Sequence, residues 1–295
     1  MLITTTLTAL AALCAGDPQI TWDAPTNFLE GAPFEVTVKV TAPADGAPLA
    51  GWLLTPSAFT VDGRPVEKRD GKGIVQLAGG TELSLRFDLG PAIAASKPFD
   101  GKPFELGFAA QFLDAKPVQV NVYRQAGEGL DFMQMDVGDL SRYRVLMNTS
   151  RGDLLMEFWP DVAPGHVRNF LDLSYSGFYD NLAFHRIMPG FMIQGGCPRG
   201  DGTGNGPRTL PAEFNSKKHV RGVLSMARSA NPDSASCQFF VMHGVATHLD
   251  NQYTAFGKLV SGIGVVDAII ETPRDGRDKP NIRQSIFKAS VIVTD

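Results

Sequence analysis

The stretch FHRIMPGFMIQGG, residues 184–196, sets Arg186 and Gln194 into an otherwise apolar, glycine-punctuated run. Period-two alternation predicts Phe184, Arg186 and Met188 on one face of a strand, a reversal at Pro189 and Gly190, and Met192 with Gln194 on one face of the return. Farther on, CQFFVM gives Gln238 and Phe240 a common face by the same rule. Brought together, these residues make a concave patch of one guanidinium, two side-chain amides and several apolar groups. A guanidinium is permanently charged and only donates, so the patch can grip and polarise a ligand. It offers no obvious nucleophile and no metal-ligand set.

Other chemistries find less support. The chain has no GxSxG elbow, and His243 and His248 stand five apart without the glutamate of a zincin helix. The glycine-rich loop RGDGTGNGP, residues 199–207, lacks the Lys-Ser/Thr ending of a phosphate loop and leads into no helix, so it reads as a shaped surface loop. Only Cys14, Cys197 and Cys237 are present, without CxxC spacing. In an oxidising compartment Cys197 and Cys237 could pair, or they could stay as two small hydrophobes; spacing alone does not choose. A net charge of -4 and a pI near 5.8, with no basic run, argue against nucleic-acid partners.

The elements that must position this patch lie in the second half. YRVLMNTSRGDLLMEFW reads as a hairpin turning at SRGD, and PGHVRNFLDLSYSG as a helix that starts at Pro164 and stops at Gly177. Short strands follow around GVLSMA, CQFFVM and YTAFGKL, then a second helix, GIGVVDAIIET, and a closing strand, QSIFKASVIV. Many short strands with two helices predict a closed antiparallel barrel capped by helices. Closure removes exposed sheet edges.

The first half is organised differently. FEVTVKVTA, TELSLRFDL and PVQVNVYR alternate strictly, with Val36, Val38 and Val40 in the first of them on one face. About seven short strands separated by turns over 17–125 predict an immunoglobulin-like β-sandwich. It carries no catalytic cluster, and its partner is not readable from fold class. Residues 126–141 break the alternation and read as a linker, with Phe132 and Met133 able to dock on a domain. Residues 1–16, uncharged beyond the amino terminus, resemble a short export signal, which makes the protein periplasmic or extracellular and otherwise cytoplasmic. No run is suited to span a bilayer as a helix.

FHRIMPGFMIQGG, RGDGTGNG, AEFN…HVRGVLSMAR, SASCQFFVM and LDNQYTAFGKLVSGIGVVDAI together resemble, in order and spacing, the cyclophilin family of peptidyl-prolyl cis-trans isomerases, its bacterial-type members most closely. The resemblance covers residues 143–295. It implies an eight-stranded barrel with two helices, here domain 142–295, and a groove for an X-Pro segment lined by His185, Arg186, Phe191, Met192, Gln194, Ala227, Arg228, Gln238, Phe240, Leu249 and Tyr253. Phe191, Met192, Phe240 and Leu249 fit the proline-ring pocket; Gln194 and the backbone around Arg228 fit the role of holding the peptide; His185 fits a structural role rather than that of a base.

Amide rotation meets a barrier of about 18–20 kcal/mol because the nitrogen lone pair is conjugated with the carbonyl. Twisting frees that lone pair as an acceptor. A bond from Arg186 to the prolyl nitrogen would therefore exist mainly in the transition state and lower the barrier selectively. The implied reaction needs no cofactor, no covalent intermediate and no titrating base. Its partners are proline-containing polypeptides, and its use is to speed a step slow enough to limit folding. The other reading of the same residues is a proline-peptide binding module in which the sandwich carries the main interaction. His248 and Tyr253 stand where the best-known eukaryotic members carry tryptophan and histidine, which predicts weak cyclosporin binding.

Overall fold

The computed structural model describes residues 17–68, 73–96, 101–108 and 116–294. The expected export signal and Cys14 lie outside the described residues. The chain divides into two compact units, one ending at Arg124 and one beginning at Gln125, and both are mainly β with few helices.

In the first unit, β1 (Gln19–Asp23), β3 (Glu35–Thr41) and β8 (Glu82–Asp88) form an antiparallel sheet in the order β1-β3-β8. A second group joins β2 (Asn27–Leu29), β10 (Val118–Gln125), β9 (Phe104–Phe108), β5 (Phe59–Val61) and β6 (Arg64–Pro65), with β2 parallel to β10. β4 (Ala47–Ala50) pairs with β7 (Ile74–Leu77). The alternation of β3 is carried through: Val36, Val38 and Val40 are buried while Glu35, Lys39 and Thr41 are exposed. They meet Phe59, Leu106, Phe108 and Val120 in one core, where Trp22 and Phe59 pack edge to face at 5.8 Å. Besides two short 3-10 turns at Gly51–Leu54 and Pro56–Ala58, one α-helix departs from the all-strand reading. Gly90–Ser96 forms a helix, α1, with Pro91 in its first turn and the Asp88 carboxylate accepting from the Gly90 N–H at 2.9 Å. Its seven residues are too few to show a period.

In the second unit the segment expected to link the domains is packed chain. It holds the short helix α2 (Val137–Leu140), and Ala126, Phe132 and Leu140 are buried in the unit's core. Phe132 meets Tyr143 edge to face at 5.0 Å. Next come β11 (Tyr143–Thr149), β12 (Gly152–Phe158), α3 (Pro164–Tyr175), β13 (Ala183–Phe184), β14 (Arg186–Met188), β15 (Met192–Gly195), β16 (Val223–Met226), β17 (Phe239–Met242), β18 (Ala255–Ser261), α4 (Ile263–Ile270) and β19 (Gln284–Val293). Antiparallel pairing runs β14-β15-β17-β16-β18-β12-β11-β19, and β13 pairs back onto β19. Only His185 separates β13 on β19 from β14 on β15. The two ends of the sheet path are thus joined across one residue.

Inward residues of these strands, among them Val145, Leu154, Ile187, Ile193, Leu224, Phe239, Val241 and Phe256, share one core with Phe170 and Leu171 of α3 and with Val266 and Ile269 of α4. The start of α3 is held by Glu213, whose carboxylate accepts from the Gly165 and His166 amides at 2.9 and 3.0 Å and lies 2.6 Å from His166 Nδ1. Among the described residues no helix is long and apolar enough to cross a membrane.

Candidate active site

Strand register builds the site. Arg186 pairs with Gln194 across β14-β15, and Gln194 pairs with Phe240 across β15-β17. Directly opposed residues share a face, so a guanidinium, an amide and a phenyl ring form one row at strand spacing, about 4.8 Å per step. The next row, Met188, Met192 and Met242, is apolar. Intervening residues Ile187, Ile193 and Val241 point into the core.

Phe184 does not share the face of Arg186, as strict alternation had it. It is fully buried in the core beside Ile187, because the chain changes partner strand at His185 and the alternation slips there by one residue.

The apolar part of the patch is a cluster of its own on the outer face. Met192, Phe240, Met242, Ala246 and Leu249 are buried together, with Phe191, Met188, Ala227, Tyr253 and Trp159 packed around them. Phe240 and Tyr253 are edge to face at 6.1 Å, and Phe191 lies 5.9 Å from the His248 ring. The turn carrying Phe191 is clamped: the His243 and Gly244 amides both donate to the Phe191 carbonyl, and the Gly190 N–H donates to His243 Nδ1 at 2.9 Å. His243 Nε2 then carries the proton and faces Asp267 at 3.3 Å, while Arg221 grips Asp267 with two contacts of 2.7 Å.

The polar part adjoins it. Gln194 donates to Gln238 at 3.0 Å, and Gln238 donates to the Gly202 and Gly204 carbonyls, which ties the glycine-rich loop to the patch. The Ala227 amide donates to the Gln238 carbonyl. Arg228 stacks over Tyr253 at 4.4 Å and donates to the Gln252 and Ser229 carbonyls. Gln194, Ala227, Arg228 and Gln238 line a pocket of about 330 Å³ with Thr203, Asn205 and Ser234. Arg186 is 42% exposed, and its Nε lies 3.9 Å from Asp278 Oδ2.

His185 is buried with both ring nitrogens lacking a partner among the described residues. Burial pushes its pKa below the ordinary value, with the Ala183 backbone acting the other way. Cys197 and Cys237 are both buried and unbonded to each other, and burial pushes the Cys237 thiol up to about 11.

One arrangement escaped the sequence reading. Beneath Phe240, Ser225 Oγ lies 3.0 Å from His219 Nε2, and His219 Nδ1 lies 3.1 Å from Asp250 Oδ1. This is the order of a hydrolytic triad, yet Ser225 is fully buried and its hydroxyl also meets the Thr254 carbonyl at 3.0 Å. No substrate can reach it. The imidazole stacks on Phe240 at 6.4 Å, so the array is a floor for the groove. Spacings of 6 and 31 residues gave no motif to recognise.

An apolar cleft and a polar pocket adjoin on these strands, with a charged donor beside them. Comparison with known proteins names the arrangement further. Residues 144–291 match the family model described as cyclophilin type peptidyl-prolyl cis-trans isomerase/CLD. A peptidyl-prolyl cis-trans isomerase of Synechococcus elongatus is 44% identical over 115 residues, 39% of this chain and 79% of that protein. Peptidyl-prolyl cis-trans isomerase B of Bacillus subtilis is 48% identical over 109 residues, 36% of this chain and 76% of that protein. Among solved structures, a Cryptosporidium parvum cyclophilin in the presence of the dipeptide Ala-Pro is 34% identical with a TM-score of 0.48, covering 52% of this chain and 99% of that one. The chain belongs to the cyclophilin-type peptidyl-prolyl cis-trans isomerase family.

Proposed function

We propose that this isomerase turns X-Pro bonds in protein substrates in the groove between the methionine row and the 330 Å³ pocket, with Arg186 as the donor that meets the prolyl nitrogen in the twisted state. What carries the reading is the row Arg186-Gln194-Phe240: it sets a group that can only donate two strands from the ring best suited to hold proline. Phe191, Met192, Phe240 and Leu249 take the proline ring. Gln194, Ala227, Arg228 and Gln238 hold the flanking backbone, Tyr253 closes the rim, and His185 supports Arg186 from the core side. Proline-containing polypeptides outside the cytoplasm are the substrates, and residues 1–16 are an export signal.

Residues 17–125 are an immunoglobulin-like sandwich that holds a partner or surface, a reading supported by the separate β-sheets of the first unit and the core they share. The sheet of the second unit is a closed barrel, supported by the one-residue junction at His185. Cyclosporin binds weakly because His248 occupies the rim beside Phe191; calorimetry giving a low-nanomolar Kd would contradict this.

The test is cis-to-trans isomerisation of a proline tetrapeptide by the full chain and by Arg186→Ala. Turnover that collapses in a variant with unchanged circular dichroism supports the reading. Equal turnover in both removes Arg186 from the reaction. N-terminal sequencing of the secreted or periplasmic protein tests export.

A further inference from the structure

The loop between α4 and β19 carries a carboxylate to Arg186 that the reaction as proposed leaves unused. Asp278 sits at φ +64, the left-handed region that residues other than glycine occupy at a cost. The loop around it is over-determined. Asp275 Oδ1 accepts from the Arg277 and Lys279 amides, the Asp275 amide donates to the Lys279 carbonyl, and Arg274 bridges to Pro280. The Asp278 carbonyl accepts from the Ile187 N–H at 2.8 Å, so the loop is fastened to β14 one residue from Arg186. The carboxylate is shared: Oδ1 lies 3.2 Å from Arg274 Nε, and Oδ2 lies 3.9 Å from Arg186 Nε.

We propose that Asp278 is the positioning residue for Arg186: its carboxylate, carried on a loop whose backbone is fastened to β14, anchors the inner edge of the guanidinium and turns the terminal nitrogens toward the groove. An arginine side chain carries about 2 kcal/mol of rotamer entropy, and at 42% exposure Arg186 would spend it moving. At 3.9 Å the contact is too long for a direct hydrogen bond, so it restrains the group electrostatically while consuming no donor that the prolyl nitrogen needs. Preorganisation of this kind lowers the barrier, since no reorientation is left for the moment of reaction. A glycine would hold the backbone of position 278 with less strain and could not do this.

This inference rests on Arg186 being the donor, and the experiment separates the two. In the full chain, Asp278→Asn keeps the shape and the left-handed tolerance while removing the charge; Arg274→Met removes the other ligand of the carboxylate. Tetrapeptide progress curves at several concentrations give kcat and KM, and 15N relaxation of the Arg186 Nε–Hε group reports its order. We expect Asp278→Asn to lower kcat five- to tenfold with KM within twofold and to lower the order of Arg186, while Arg274→Met stays within twofold of the parent. Unchanged kcat and order in Asp278→Asn, or an equal loss in Arg274→Met, would overturn the assignment, the second by showing a role in loop structure only. If Arg186→Ala itself turns over normally, it is the donor reading that has failed.

Discussion

Arg186 stands alone in its row as a charge, and the chemistry leaves it one task. On the proposed reading, its removal takes away a donor offered chiefly to the transition state, a loss that elsewhere costs on the order of 10²-fold or more in rate. We expect Arg186→Ala to lose about that much of kcat with little change in the Kd for a proline peptide, read by calorimetry beside the kinetic assay. The two buried thiols make a contrasting case. With the Cys237 thiol pushed up to about 11, little Cys237 thiolate is available, and with both sulfurs buried turnover should be the same with and without reductant; a redox-dependent rate would contradict this. Arg186, Gln194 and Phe240 were legible because each sits in a strand, where two-residue periodicity alone assigns a face, and Gln238 directly precedes β17. Asp278 was not, since it reaches Arg186 from a left-handed loop residue, a geometry that periodicity does not encode. The Ser225, His219 and Asp250 array was hidden for a related reason: its members come from two loops and a strand.

Strand elements hold the groove only as well as their turns do. The Pro189–Gly190 reversal is clamped by the segment after β17, and the approach is so close that a Cβ on Gly244 would stand 2.1 Å from the Gly190 carbonyl oxygen. Gly244→Ala should therefore push the turn outward, costing about 1–3 kcal/mol of stability in urea titration and displacing Phe191, with a rise in KM larger than the fall in kcat. Unaltered stability and KM would mean that the turn is softer than the contact implies. Helix α3 depends on Glu213 at its start. Burial opposes ionisation of this carboxylate and is outweighed by hydrogen bonds from His166 and Gly165, so its pKa lies below the ordinary value. Glu213→Ala should destabilise the protein by about 1–2 kcal/mol, the scale of a lost cap; a midpoint equal to the parent's would speak against the capping role. Alternation predicted the strands of both units well because one face of each is buried, as in β3. It missed α1, too short to declare a period; over 126–141, where alternation breaks, Phe132 was read as able to dock on a domain, and it is buried together with Leu140.

Taken whole, the molecule distributes its titrating groups unevenly. All five histidines lie beyond residue 165, so the first unit has no imidazole to charge between pH 7.5 and 5.5. In the second unit, burial lowers the pKa of both His185 and His219 from 6.5, although the Asp250 side chain works against burial at His219. The unfolded chain then binds more protons than the folded one below that value. The stability this provides is present above about pH 6.5 and drains as pH falls through the lowered values. Asp250, held to about 2 chiefly by the His219 amide, acts in a separate window: its contribution is present above 3.8 and is lost only on approach to pH 2. Urea midpoints should drop from pH 7.5 to 5.5, with lower hydrogen-exchange protection factors confined to the second unit, and His219→Gln should flatten part of the drop. Equal midpoints at the two pH values would count against buried neutral imidazoles.

The one-residue junction at His185 sets the frame in which the surrounding sequence is read. Phe184 and Ile187 face inward and Arg186 outward, so with His185 struck out the run would alternate without a flaw. A deletion scan judged by pattern would score that shorter chain as improved. In the folded molecule it would lose the hinge pin on which the chain passes from one neighbour to the next, and with it the corner that aims Arg186. The irregular beat in the pattern marks the site more truly than the regular ones around it.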